Sequence, residues 1–288
     1  MSVKKQVANV LRCVLPIQAY LDLETRYMRR HAIHWLRQEG MLDLALKVAE
    51  HFDYTVQSGP FRGMRYTRAA VLTHHATPNL LGTYERQLYP FLEEAATRCD
   101  LIIDIGAAEG YYAVGLAWLT GKRVVAFDVN GCERQMIKEI AALNQVSPLV
   151  TISGWCSSGK LVDLVRGKRA LIFCDIEGGE FSLFTPEVVD ALLGCDVFIE
   201  LHGTREENRS VIESFVGRDP IILDHPKEPA GASSLTILGP DAERMSAEYR
   251  GFQQWLVLRP SDLSSLQQLG ESLRNSASVR NQDSVIMK

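Results

Sequence analysis

The sequence is poor in the features that would mark several common classes of protein. Its six cysteines (Cys13, Cys99, Cys132, Cys156, Cys174 and Cys195) never fall in Cys-x-x-Cys spacing, so no zinc ribbon or thioredoxin-type redox pair is written into it. Several lie inside apolar runs, where a free thiol packs as a small hydrophobe, and a reducing compartment is expected. No stretch approaches the roughly 20 apolar residues that a helix needs to cross a bilayer. The N-terminal MSVKKQVANVLRCVLPIQAY is interrupted by Arg12 and Gln18 and has no small-residue cleavage site, which together with the cysteines leads us to expect a cytoplasmic protein. Basic charge is also scarce: 31 Lys and Arg stand against 35 Asp and Glu, for a net charge of -4, and no basic tract concentrates them. That balance argues against nucleic acid or an anionic membrane as partner.

What is present is a hydrophobic content of 46% over 288 residues, enough to bury a substantial core. Up to about residue 50, apolar positions such as Ile33, Leu36, Leu42, Ala45 and Val48 recur near the helical period. The following FDYTVQSGPFRGMRYT alternates aromatic and polar residues around Gly59, Pro60 and Gly63, which predicts a short hairpin. The stretch LLGTYERQLYPFLEEAA reads as helix. From there apolar strands alternate with segments of helical length: LIIDI at 101–105, RVVAFD at 123–128, LVTIS at 149–153, ALIFCDI at 170–176, VFIEL at 197–201 and PIILD at 220–224. A last strand, QQWLVLR, occupies 253–259. The pattern predicts a Rossmann-like, doubly wound α/β fold with a mostly parallel seven-stranded sheet and an N-terminal helical extension. The expected organisation is an N-terminal helical segment and hairpin over 1–75, a cofactor-binding domain over 76–260, and a polar tail over 261–288.

The first strand runs into Asp104-Ile105-Gly106-Ala107-Ala108-Glu109-Gly110-Tyr111, and a helix follows. Gly106 permits a tight turn out of the strand, and Gly110 lets the helix pack closely while a ligand lies over the loop. As a dinucleotide fingerprint the loop fails, because Ala108 and Tyr111 stand at the second and third glycine positions. Glu109 at the helix start also opposes a pyrophosphate. A cationic ligand without phosphate, such as S-adenosylmethionine, suits the loop better. The second strand ends in Asp128, 18 residues beyond Gly110 (128 − 110), near the offset at which a carboxylate accepts ribose hydroxyls. Its alternative role is to cap the next helix, for which Asn130 is also available.

The fourth strand ends in Cys174-Asp175-Ile176-Glu177-Gly178-Gly179-Glu180, and the fifth in Glu200-Leu201-His202. In an open α/β sheet the carboxyl ends of the strands form the ligand crevice. Transfer of a methyl group from a sulfonium is an in-line displacement, and a hydroxyl acceptor needs a base. His202 is the natural candidate from its ordinary pKa, with Glu177 and Glu180 as competitors. Asp175 and Glu200 also have the chemistry to hold Mg2+ against the acceptor oxygen.

The combination of DIGAAEGYYAVGLA, VVAFDVN, LIFCDIEGGEFSLF and VFIELHG resembles the FkbM-type S-adenosylmethionine-dependent methyltransferases, over about residues 80–202. The Asp-x-Glu-Gly-x-Glu segment formed by Asp175, Glu177, Gly178 and Glu180 is its specific part. The resemblance implies a class I methyltransferase fold, with Asp104, Gly106, Ala107 and Gly110 in the cofactor loop and Asp128 on the ribose. It also implies that Tyr84 and Glu85 lie against the cofactor, and that Asp175 stands beside it. Relatives more often carry Glu-Pro-Asn where this chain has Asp128-Val129-Asn130. The implied acceptor is a hydroxyl on a sugar, polyketide or other small molecule or glycoconjugate. Two other readings of the residues are a catalytically silent module that binds protein through its N-terminal helices, and a nicotinamide-dependent oxidoreductase, which the broken fingerprint opposes.

Overall fold

The computed structural model describes residues 33–72, 75–215, 217–248 and 253–261. The expected helix before residue 33 and the expected polar tail after Ser261 lie outside the described residues. Within them, residues 33–38 and α1 (Leu42–His51) are helical, and α1 buries Ala45, Val48 and Ala49. The predicted hairpin shrinks to a single bridge between Thr55 and Arg65. The reason is Phe61: at the tip of the turn its side chain is fully buried and packs edge-on against Tyr111, so the chain dives inward instead of continuing two strands. The stretch read as one helix from Leu80 instead holds the end of α2 (Ala76–Leu81) and most of α3 (Tyr89–Arg98). Gly82 makes the break, with φ of +70° and a backbone so close to Ser58 that a Cβ would stand 1.9 Å from its carbonyl oxygen.

The alternation that follows is β1 (Leu101–Ile105), α4 (Tyr111–Thr120), β2 (Val124–Phe127), α5 (Gly131–Leu143), β3 (Val150–Ser153), α6 (Ser158–Val165), β4 (Ala170–Cys174), α7 (Glu180–Leu183), α8 (Pro186–Ala191), β5 (Asp196–Leu201), α9 (Arg205–Ser214), β6 (Ile221–Asp224), α10 (Ala242–Ser246) and β7 (Gln254–Leu258). The seven strands form one sheet in the order β3-β2-β1-β4-β5-β7-β6. β7 runs antiparallel to both β5 and β6, and the other pairings are parallel. Every residue of β1, β4 and β5 is buried, as strands covered on both faces require.

Successive side chains alternate between two cores. Ile102, Leu171, Phe173, Phe198, Trp255 and Val257 point into one, under α1, α4 and α5. Ile103, Ile105, Ile172, Cys174, Val197 and Ile199 point into the other, with α6, α8 and α9. Two buried charges tie the sheet to its surroundings. Asp196 opens β5 and accepts from Nε and Nη2 of Arg98 at 3.0 and 2.5 Å. Arg218 donates to the carbonyls of Leu192, Cys195 and Arg259, all at the end of the sheet away from the strand carboxyl ends.

The strand order and the antiparallel last pair make an open, doubly wound, mostly parallel α/β sheet of seven strands, the class that the alternation of segments predicted. The carboxyl ends of β1, β4 and β5 open side by side at the middle of the sheet. Because β6 and β5 both oppose β7, β6 also ends at this mouth.

Candidate functional site

The loop between β1 and α4 is shaped by backbone contacts. Gly106 and Ala107 both donate to the carbonyl of Phe127, at 2.8 and 3.0 Å, which folds the loop over the end of β2. Gly106 has φ of +87°, and a Cβ there would lie 1.7 Å from the carbonyl oxygen of Asp175. The glycine loop and the acidic segment after β4 are thus in contact, and both belong to one mouth. Gly110 begins α4 with φ of +105°, packed against Ile137 and Val114.

Asp128 is held by the loop. Its Oδ2 accepts from the N–H of Ala108 at 2.9 Å and its Oδ1 from the N–H of Asn130 at 2.7 Å. Asn130, not Asp128, caps α5: its Oδ1 accepts from Cys132 and Glu133. Burial pushes Asp128 up to about 6 against the pull of its two N–H partners. Asp104 lies below the loop, only 2% exposed, and its Oδ2 has no hydrogen-bond partner among the described residues. Burial, and then the charge of Asp128, push its carboxyl up to about 8.

Glu109 faces away from the loop. It is buried and accepts from Nδ2 of Asn79 in α2 at 2.8 Å, and burial pushes it up to about 7. Its carboxylate therefore joins the core instead of lining the anion position, and it does not bear on a pyrophosphate as its place in the sequence suggested. Tyr84 packs edge-on against Tyr111 and at a tilt of 45° against His75. Glu85 is 1% exposed, with a left-handed φ of 52°. Its Oε2 accepts from the hydroxyl of Tyr112 at 2.6 Å and its Oε1 from Nε1 of Trp255 at 3.2 Å. Burial, and then the neighbouring charge of Glu200, raise its pKa well above the carboxylate range.

The ends of β4 and β5 bring four carboxylates around His202, and the end of β6 adds His225 behind one of them. Its Nδ1 lies 3.1 Å from Oε1 of Glu180. Its Nε2 faces Oε2 of Glu200 at 3.2 Å, Oδ1 of Asp175 at 3.5 Å and Oε2 of Glu177 at 3.5 Å. On the other side Glu200 Oε1 meets Nε2 of His225 at 3.0 Å. Burial opposes charge on His202, but Glu180, Glu200 and Asp175 outweigh it and hold the imidazole proton up to about 11. Burial would raise Glu200 as well, yet its two histidine partners and Asp175 pull it down to about 2. Asp175 is raised by burial and by the charge of Glu200.

Protonation of the ring and the burial of the two carboxylates separate the three proton-transfer candidates. His202 keeps its proton at neutral pH in this arrangement, so its ordinary pKa is no guide to its role. Glu180 is fully buried and also accepts from the N–H of Ile176 at 3.1 Å, which pins it against the ring. Glu177 stands at the rim with its side chain 83% exposed and φ of 53°, a strained conformation for a residue with a Cβ.

Two members of the constellation did not emerge from the sequence reading. His225 follows β6 immediately, as His202 follows β5, and a histidine just past a strand was the available signal. Glu248, whose Oε1 accepts from the N–H of Glu85 at 3.1 Å, lies in an irregular stretch and carries no such signal.

No protein-family model matches the chain. Among curated proteins it is 25% identical over 127 residues to the ribosomal protein L11 methyltransferase of Geotalea uraniireducens, a match covering 44% of this chain and 39% of that protein. The chain thus spans well under two thirds of the relative's length. Solved structures that resemble it include cofactor-bound Rv0187 from MTB, at 12% identity and a TM-score of 0.44 over 68% of this chain and 92% of that one. They also include a putative O-methyltransferase from Klebsiella pneumoniae, at 10% identity and a TM-score of 0.42 over 86% and 100%.

Proposed function

We propose that the chain is an S-adenosylmethionine-dependent methyltransferase of the FkbM type, acting on a hydroxyl group of a sugar, polyketide or other small molecule or glycoconjugate. The observation that carries this reading is the contact between the glycine loop and the acidic segment: Gly106 and Asp175 approach closely at one mouth, which supports a cofactor over the loop and an acceptor beside the acidic segment. The residues offer hydrogen-bond acceptors to a nucleoside-bearing cofactor. Asp104 offers a buried carboxyl oxygen without a partner among the described residues, and Asp128 keeps lone pairs on both oxygens beyond its two N–H contacts.

Asp128 would accept from the ribose hydroxyls, and Asp104, Gly106, Ala107 and Gly110 would form the floor of the cofactor site. Tyr84, Glu85 and Asp175 would wall its other side. The cofactor supplies an electrophilic methyl carbon, whose bond to sulfur breaks with its electron pair returning to sulfur as the acceptor oxygen bonds to carbon. Glu177 is the base we assign, because its carboxylate alone among the three candidates is exposed to an incoming hydroxyl. It takes the hydroxyl proton, while Glu180 and His202 act as positioning residues beneath it.

A small acceptor suits the net charge of -4 and the acidic mouth, which would repel a phosphodiester backbone. Calorimetric titration with S-adenosylmethionine and S-adenosylhomocysteine, with NAD as control, tests the cofactor assignment. Saturable binding of the first two but not of NAD is expected, and a folded sample that binds neither refutes the reading. Glu177→Gln should then lower kcat and leave cofactor affinity unchanged.

A further inference from the structure

Around His202 the three donors Asp175 Oδ1, Glu200 Oε2 and His202 Nε2 converge from the ends of two adjacent strands, each within 4.8 Å of the others. His202 is 93% buried in its side chain (100 − 7), yet its Nε2 has no well-aligned hydrogen-bond partner among the described residues. Oδ1 of Asp175 is in the same position. A buried ring nitrogen aimed between carboxylate oxygens that it does not bond well is the arrangement that an inserted cation would satisfy.

The spacing is also right. An octahedral ion with bonds of about 2.1 Å holds neighbouring donors about 3.0 Å apart. Nε2 stands 3.2 Å from Glu200 Oε2 and 3.5 Å from Asp175 Oδ1, so small side-chain movements would close the set. Behind it, Glu180 accepts from Nδ1 of His202 and is itself fixed by the N–H of Ile176. A carboxylate on the far nitrogen is how a metal-binding histidine is usually oriented, and an ion bound at Nε2 would take the place of the proton which the carboxylates otherwise hold there, releasing it to solvent. Glu177 Oε2, 3.5 Å from Nε2, is at the solvent side, where an acceptor would enter.

A second set, Glu85, Glu200 and His225, is geometrically similar but already satisfied. Glu85 accepts from Tyr112 and Trp255, His225 Nε2 faces Glu200 Oε1, and His225 Nδ1 faces Gln87. Nothing in that set points to a ligand.

We propose that Asp175, Glu200 and His202 form a binding site for one divalent first-row transition ion, with Glu180 orienting the histidine. The imidazole favours an ion of the Mn2+ or Fe2+ kind over Mg2+, which prefers oxygen donors throughout. Placed between the base Glu177 and the cofactor loop, the ion would hold the acceptor hydroxyl oxygen and ease loss of its proton. This last role rests on the methyl-transfer reading, whereas the site itself does not.

The test is calorimetric titration of the chelator-treated full chain with Mn2+, with S-adenosylmethionine titrated in parallel. A single saturable Mn2+ site is expected, with electron spin echo modulation from a coordinated imidazole nitrogen. His202→Ala and Asp175→Ala should abolish it, Glu180→Gln should weaken it by about tenfold, and His225→Gln should leave it intact. The nitrogen signal is read on the unmodified chain, so it stands even where a variant fails to fold. Absence of saturable Mn2+ binding, or binding without nitrogen modulation, overturns the site. Cofactor binding without Mn2+ binding overturns the metal site and leaves the methyl-transfer reading. Mn2+ binding without cofactor binding does the reverse.

Discussion

Substitution of Gly106 by alanine tests whether the glycine loop and the acidic segment are in contact. The new Cβ would stand 1.7 Å from the carbonyl oxygen and 2.7 Å from the carbonyl carbon of Asp175. Both are backbone atoms, flanked by the bond from Asp175 N–H to Ile105 at 2.9 Å, so no rotamer change relieves the clash. The left-handed φ of +87° adds about 1–2 kcal/mol for any residue with a Cβ. Displacing packed backbone adds about 1–3 kcal/mol. Gly121→Ala is the internal control: its φ of +65° carries the conformational cost, but nothing lies within 4 Å of the added atom. Urea denaturation should therefore show a loss of about 2–5 kcal/mol for Gly106→Ala against about 1–2 kcal/mol for Gly121→Ala. At about 2–4 °C per kcal/mol, the first variant should melt some 4–20 °C below wild type. A difference between the two variants below about 0.5 kcal/mol, the ordinary error of such comparisons, would refute the contact.

The sheet was legible because its chemistry is local. Each of the seven apolar segments became a strand within about two residues of its expected bounds, since β1, β4 and β5 are buried along their whole length and their sequences are almost purely apolar. Asn130 as a cap was legible for the same reason, because an Asx side chain reaches only the next few N–H groups. The hairpin was not: whether Phe61 points out or in depends on Tyr111, fifty residues on (111 − 61). Glu109 shows the same limit, as its partner Asn79 stands thirty residues back (109 − 79), just before the stretch read as helix. His225 reached the mouth because β7 inserts antiparallel between β5 and β6, a pairing that the spacing of segments does not state. The protonation of His202 was beyond a sequence reading altogether, since it is set by Glu180, Glu200 and Asp175 acting together across two strands.

Three further outcomes are expected. Arg218→Met should destabilise by about 3 kcal/mol or more, because the buried carbonyls of Leu192, Cys195 and Arg259 lose their donor; a loss under about 1 kcal/mol in urea denaturation would show that they find other partners. Asp128→Ala should weaken S-adenosylmethionine binding by about 1.5–3 kcal/mol, roughly 10- to 150-fold, in calorimetric titration. Unchanged affinity would confine Asp128 to bracing Ala108 and Asn130. The pH dependence of stability follows from Asp104. Its carboxyl ionises at about 8 in the folded chain but near the ordinary 3.8 when unfolded. Between those values the folded state binds the extra proton, so its contribution is complete below about pH 4 and is lost as pH rises through about 8. The slope approaches 1.4 kcal/mol per pH unit where Asp104 alone differs between the two states. Asp128 and Glu109, raised to about 6 and 7, add slope of the same sign at lower pH. Urea denaturation at pH 5.5 and 7.5 should therefore show wild type losing more stability than Asp104→Asn across that interval. Equal losses would mean that Asp104 is ionised in the folded chain, and that the loop above it supplies a donor to the oxygen left without one.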